Sequence, residues 1–317
     1  MVAEQLRGPG QLVLVASVAR RYYLDGKSKV EIAEEFGLSR FKVARLLELA
    51  RTSGLVRIEI GYRGSIDVNV SASMQEAFGL HHAVVVDTAE DHPVALRRQV
   101  GRAAADLLTE IVIAEDVLGL GWSRALIEMA AALRRLASCS VVQLTGALSR
   151  PDVAESSVDL VRDVARIANG PAYFYYAPLI VPDSTTATVM LRQADVARAV
   201  KLYPSLTKAV VAVGSWNPPA STIYDAISAA ERKALLTLGV QADLSGLLLT
   251  AEGGAVTAPL VSRMICMDAA TLKQVPEVLA VAYGVEKASA AVAAIRGGYV
   301  TSLVADRRLA EGMLALT

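Results

Sequence analysis

Five short stretches hold the residues whose types and spacing could bind or transform a small molecule. Gly119-Leu120-Gly121-Trp122-Ser123-Arg124 closes one apolar run and opens a helical pattern. Glycines at such a turn let the backbone approach an anion. The free N–H groups of a helix start point at it, and Ser123 and Arg124 add a hydroxyl and a charge. The same residues could equally be a tight turn with Ser123 as its N-cap. Thr145-Gly146-Ala147-Leu148, Gly214-Ser215-Trp216-Asn217 and Ala282-Tyr283-Gly284-Val285-Glu286-Lys287 follow three further apolar runs. Lys287 is expected in the first turn of a helix, where the helix dipole disfavours a cation. An anionic ligand in front of it would explain its place; an ordinary exposed lysine is the alternative. Asp243, within GVQADLSG, is expected in a Gly-flanked loop, either accepting hydrogen bonds from sugar hydroxyls or forming the turn.

None of these stretches assembles a catalytic set. No nucleophile stands with a base, no close carboxylate pair is evident, and GLGWSR lacks the lysine of a phosphate-binding P-loop. It also lacks the third glycine and downstream acid of a dinucleotide site. The expectation is therefore no catalytic residue and no cofactor. A metal site is not expected either. Cys139 and Cys266 sit in apolar runs and read as buried thiols, and the adjacent His81 and His82 begin a strand, so they face opposite ways. His92, before Pro93, reads as a loop residue, and the Tyr173–Tyr176 cluster as core.

The elements that must position these residues follow from the hydrophobic pattern. With 53% hydrophobic and 20% charged residues over 317 positions, the chain can fill a large core, and disorder and disulfide scaffolds are excluded. The length suggests about two domains. The longest uncharged runs, 167–182 and 209–224, are too short to span a bilayer and carry prolines, and MVAEQLRGPG has no apolar signal core. A cytoplasmic protein is the expectation. From residue 74 onward, short apolar β runs alternate with amphipathic helices. Strands are predicted at 116–120, 140–144, 209–213, 245–250, 262–267, 278–282 and 300–304. Helices are predicted at 94–109, 123–136, 156–168, 185–202, 221–237, 269–274, 285–296 and 306–315. That alternation predicts a mostly parallel sheet covered on both faces, with ligands at the strands' C-terminal ends.

The first sixty residues read differently. A helix is predicted over 12–24, ended by Asp25-Gly26. Ser28 and Glu31 form a capping box for a short second helix stopped by Gly37. Ser39 caps a third helix whose buried stripe is Val43, Leu46, Leu47 and Ala50. LVRIEIGY then alternates as a half-exposed strand. Net charge is zero, but residues 1–60 hold ten Lys/Arg and seven Asp/Glu, and 39–57 hold five basic residues against one acidic. This order is that of a winged helix-turn-helix. Ser39, Arg40, Phe41, Lys42 and Arg45 would meet bases and phosphates, and Arg57 the backbone as a wing contact. A structural trihelical module with a solvated charged face is the competing interpretation.

Taken together, KSKVEIAEEFGLSRFKVARLLELARTSGLVRIEI, LGLGWSRAL, VVQLTGAL, AVVAVGSW, the loop around Asp243 and VPEVLAVAYGVEKASAAVAAIRGGYVTSLVAD resemble the SorC family of sugar-binding bacterial transcriptional regulators. The resemblance implies an α/β fold: an N-terminal winged helix-turn-helix (1–60), a linker (61–73) and a Rossmann-like, phosphosugar isomerase-type effector domain (74–317) without enzymatic activity. It implies operator double-stranded DNA and a sugar, polyol or sugar phosphate as partners, and a homo-oligomer, dimer or tetramer. Block by block, Gly121, Ser123 and Arg124 match the phosphate loop, Gly146 the second ligand loop, Asp243 the acidic residue and Lys287 the ligand-facing lysine; Gly119 and Trp122, in the same stretch as the phosphate loop, are expected to bind the effector with them. Three departures bear on the ligand: Gly146-Ala147 replaces the usual paired glycines, Gln241-Ala242 stands where Val-Gly is more usual, and Thr145 stands near where some relatives carry a lysine that holds the effector covalently. The alternatives are a catalytic sugar-phosphate isomerase-like enzyme with an accessory N-terminal module, and a protein-binding module that oligomerises through its trihelical end.

Overall fold

The computed structural model describes residues 8–56, 66–87, 92–148 and 156–317. The chain divides into two compact units, 1–61 and 62–317. In the first, helices α1 (Pro9–Tyr23), α2 (Lys29–Phe36) and α3 (Arg40–Thr52) enclose a small core of Val15, Val18, Ile32, Val43, Leu46 and Leu47. The local signals are met. Ser28 Oγ accepts from Glu31 N while Glu31 returns a bond to Ser28 N, and Gly37 leaves α2 at φ 64°, a conformation that favours glycine. Ser39 Oγ then caps α3 by accepting from Lys42 N. The expected wing strand, with Arg57, lies mostly outside the described residues.

The second unit runs α4 (Val68–Phe78), β1 (His82–Val86), α5 (Pro93–Ile111), β2 (Val117–Leu120), α6 (Arg124–Ala132), β3 (Ser140–Gln143), α7 (Ser157–Ala168) and β4 (Ala172–Tyr173). Helices α8 (Ser184–Leu191) and α9 (Ala194–Val200) precede β5 (Lys208–Ser215). Helices α10 (Thr222–Ala226) and α11 (Ala229–Thr237) then lead into a hairpin, β6 (Val240–Leu244) and β7 (Leu247–Thr250). The chain closes with α12 (Ala269–Leu272), β8 (Glu277–Ala282), α13 (Ala288–Arg296), β9 (Ser302–Asp306) and α14 (Arg307–Leu314).

Seven strands pair in parallel in the order β1-β9-β8-β5-β2-β3-β4. The strands are mostly apolar on both sides because each face of the sheet is covered. Alternate residues of β8 separate accordingly: Val278, Ala280 and Ala282 join one core with α13 and α14, while Leu279 and Val281 join the other with α5, α6 and α7. Connections run outward in opposite directions from β2 and β5, so a crevice opens at the C-terminal ends of these neighbours.

Four expectations are corrected. The segment 61–73 is not a linker throughout. Helix α4 begins at Val68, because Asp67 accepts from Val70 N and caps it and the buried Ser71 hydroxyl accepts from Val85 N. The stretch 262–267 is a single 3-10 turn with isolated bridges at Met264 and Cys266, not a strand. The predicted helices 185–202 and 221–237 each break in two, the second where Ser228 starts its own capping box with Glu231. Asp243 sits in β6, which pairs antiparallel with the end of β5, and not in a loop. The sheet is therefore mixed, and the β6–β7 turn is only Ser245-Gly246, both at positive φ.

Two positions carry testable weight. Gly101 lies where α5 crosses α6; a Cβ there would stand 2.7 Å from Glu128 Cβ and 2.9 Å from the Met129 backbone nitrogen. We expect Gly101→Ala to lower stability in urea unfolding by about 1–3 kcal/mol, because the clash with backbone outweighs the gain in helix propensity. Asp116 is buried before β2. It accepts from Ile113 N (2.8 Å) and Thr207 Oγ1 (2.7 Å) and pairs with Lys208 Nζ (3.0 Å). Burial pushes its carboxyl up, but the bonds from Ile113, Thr207 and Lys208 together hold it below the ordinary aspartate value. Its stabilisation is thus complete above about pH 4 and is lost as pH falls toward the lower folded value. Asp116→Asn should be less stable than the parent at pH 7, and the gap should shrink as the medium is acidified to pH near 2.

Candidate functional site

The third helix divides cleanly by face. Val43, Leu46, Leu47 and Ala50 are buried, whereas Ser39, Arg40, Lys42 and Arg45 are exposed and Phe41 is 84% exposed. A large aromatic ring held in water between cations has no role in the trihelical core. The face is cationic from its first turn, and the only acid within α3 is Glu48.

In the second unit a cavity of about 300 Å³ lies in the crevice at the strands' C-terminal ends. Trp122, Ser123 and Arg124 enter it after β2, Thr145 and Gly146 after β3, Gly214 from the end of β5, and Tyr283 and Lys287 after β8. The β6–β7 hairpin contributes Asp243, Ser245 and Gly246 from the other side. Six of the expected ligand residues therefore converge: Trp122, Ser123, Arg124, Gly146, Asp243 and Lys287.

Gly119 and Gly121 are not among the residues that line the cavity. Their smallness serves packing instead. A Cβ on Gly119 would press into the Leu144 side chain, and one on Gly121 into Ser245. Gly121 N donates to Val210 O at 2.9 Å, holding β2 to β5 just where the crevice opens.

The polar groups are tightly arranged. Ser123 Oγ caps α6 by accepting from Leu126 N at 3.2 Å, so its hydroxyl proton is still available as a donor. Asp243 is 5% exposed; Oδ1 accepts from Gly246 N (2.8 Å) and Oδ2 from the Ser221 hydroxyl (2.8 Å). Burial pushes the Asp243 carboxyl above its ordinary value, against the Gly246 and Ser221 bonds and the Lys287 charge. Burial likewise pulls Lys287 down. The charges of Glu286, Asp243 and Asp306 oppose that shift, and Arg124 adds to it. Lys287 Nζ also lies 4.3 Å from the centre of the Tyr283 ring. Lys287 itself is the last residue of a 3-10 turn, Val285–Lys287, and stands at the N-cap of α13. That turn is anchored by the buried Asp306, whose Oδ1 accepts from Gly284 N (2.6 Å) while Oδ2 caps α14 at Leu309 N (3.1 Å).

Sequence reasoning missed Ser221, Ser245 and Asp306. Ser221 caps α10 through Ile223 N and Tyr224 N while donating to Asp243. The Ser-Thr-Ile-Tyr-Asp and Asp-Arg-Arg-Leu starts are readable as helix caps, but that Ser221 lines the cavity and that Asp306 holds the turn before Lys287 depend on the sheet. Among the described residues no group of His, Cys, Asp and Glu could hold a metal ion, and no helix is long and apolar enough to cross a membrane.

A cationic, aromatic helix face in one unit and a polar cavity at a sheet crevice in the other point to a class: transcriptional regulators that answer to a small ligand. Residues 64–315 match the family described as "Putative sugar-binding domain". The transcriptional regulator LsrR of Enterobacter sp. (strain 638) is 29% identical over 326 residues, covering 99% of this chain and 98% of that protein. The transcriptional regulator YjhU of Escherichia coli (strain K12) is 27% identical, covering 93% and 92% respectively. The full-length sorbitol operon regulator SorC from Klebsiella pneumoniae superposes with a TM-score of 0.72 at 22% identity, over 98% of this chain and 100% of that one. The chain belongs to the SorC family of sugar-binding transcriptional regulators. Both of these curated relatives are transcriptional regulators.

Proposed function

We propose that this chain is an operator-binding regulator whose grip on DNA is set by a sugar, polyol or sugar phosphate in the cavity. The first unit acts as a winged helix-turn-helix. Helix α3 enters the major groove with Arg40, Phe41, Lys42 and Arg45, Ser39 fixes its first turn, and Arg57 meets the phosphate backbone. The second unit acts as a phosphosugar isomerase-type effector domain. Arg124, Lys287 and the start of α6 take the anionic or most polar end of the ligand, and Asp243 accepts from its hydroxyls.

The observation that carries this reading is that buried Asp243 and Lys287, each within reach of the other's charge, line one cavity with Ser123 and Arg124. Burial disfavours both charges, and a polar ligand bridging them relieves that cost. A single α3 offers few contacts, so at least a dimer binds, and a dimer or tetramer is the working form. The ligand binds two arrangements of the assembly unequally and shifts the balance between them.

Selection from a random duplex pool with the full chain tests the DNA half. Enrichment of a two-fold symmetric site that resists competitor DNA is expected; recovery of unselected sequence at every salt concentration contradicts it. Sizing by light scattering tests the assembly, and a monomer at micromolar concentration contradicts it.

A further inference from the structure

Among the buried polar side chains that line the cavity, only Thr145 has a hydroxyl without a hydrogen-bond partner among the described residues. It is 3% exposed. The other two, Ser221 and Asp243, are satisfied by each other and by backbone N–H groups. A buried hydroxyl left unpaired costs free energy, and native structures rarely keep one without a reason.

Thr145 cannot relax toward a partner, because its backbone is pinned from every side. Its carbonyl accepts from Gln143 Nε2 at 2.8 Å, and it forms an antiparallel bridge with Cys266. Gln143 is itself fully buried, donating also to Ser157 Oγ (3.1 Å) and accepting from Tyr175 N (3.1 Å). The next residue, Gly146, donates to Ile265 O at 2.7 Å and is so closely packed that a Cβ would lie 2.6 Å from the Pro178 carbonyl oxygen. A β-branched side chain on a fixed backbone has few rotamers to choose from.

We propose that Thr145 is a specificity-determining contact for the effector: Thr145 Oγ1 exchanges a hydrogen bond with a hydroxyl of the bound sugar, so the cavity selects the hydroxylated carbon over its deoxy counterpart at that position. Gln143 is a positioning residue that holds the Thr145 backbone in place. The inference rests on the cavity being the effector site.

The test uses the full chain with Thr145→Val, which keeps the shape, and Thr145→Ser, which keeps the hydroxyl. Without ligand, Thr145→Val should melt at or above the wild-type temperature, since it removes a hydroxyl that has no partner. A lower melting temperature would reveal a structural bond and overturn the proposal. Wild type and variants are then titrated with ribose, glucose, fructose and sorbitol phosphates, their unphosphorylated forms, and the 2-deoxy forms of ribose and glucose and their phosphates. Every probe that binds wild type through the selected hydroxyl should bind Thr145→Val about tenfold or more weakly, and Thr145→Ser close to wild type. Unchanged affinity of Thr145→Val for every bound probe overturns the contact while leaving the effector site standing. Wild type binding none of the probes overturns the effector reading itself, and this proposal with it.

Discussion

Replacing both Arg40 and Lys42 by alanine is expected to weaken operator binding by roughly 30- to 1000-fold, from about 1–2 kcal/mol for each lost base or phosphate contact. Both side chains are exposed and lie on the face of α3 opposite Val43, Leu46, Leu47 and Ala50, so the fold has no stake in them. The double variant should therefore unfold at the wild-type temperature. The single variants separate their roles. If Arg40 reads a base edge, Arg40→Ala relaxes sequence preference. If Lys42 meets a phosphate, Lys42→Ala weakens all duplexes alike and lowers the salt dependence by about one ion. Anisotropy titrations over a salt series distinguish them, and unchanged affinity in the double variant contradicts the assignment of α3 to the groove.

The second large effect concerns Lys287. Lys287→Met keeps most of the stem and removes the cation, so an anionic ligand in the cavity would face Asp243, Glu286 and Asp306 without the positive charge that they share. A buried charge that loses its partner costs about 2–5 kcal/mol in a bound complex. Effector affinity should accordingly fall by a factor of about 30 or more, with the larger loss for phosphorylated ligands. Asp243, already raised by burial, should rise further and bind its proton more readily, because Lys287 is one of the influences holding it down. Binding of DNA in the absence of effector should persist, since Lys287 belongs to the second unit. A variant that binds every sugar phosphate like wild type places the ligand elsewhere.

The parts legible in the sequence are those fixed by local chemistry. The Ser28–Glu31 box, the positive-φ Gly37 and the Ser39 cap each follow from a few neighbouring residues, and together they deliver α3 with its cations outward. The alternation of apolar strands and helices likewise revealed the parallel sheet, and with it the strand ends where Ser123, Gly146 and Lys287 converge. The β6–β7 hairpin was harder to see. VQADL carries a buried aspartate, a residue that reads as a turn former, and only its pairing with β5 makes the segment a strand. Glycine has two uses, conformational freedom and smallness, and at Gly119 and Gly121 the second is visible only through the neighbours Leu144 and Ser245. The roles of Ser221, Asp306 and Thr145 depend on contacts across 22 residues between Ser221 and Asp243 and equal or longer distances elsewhere, which no local pattern records.

Coupling between the two units is the heart of the account, and linkage makes it measurable from both directions. Operator affinity of the full chain is measured with and without a saturating sugar phosphate that binds it, and affinity for that ligand is measured with and without saturating operator. The account predicts that the two ratios are equal, because coupling is reciprocal, and that they fall between about 5-fold and 150-fold. Operator affinity that is identical at zero and saturating ligand would contradict it.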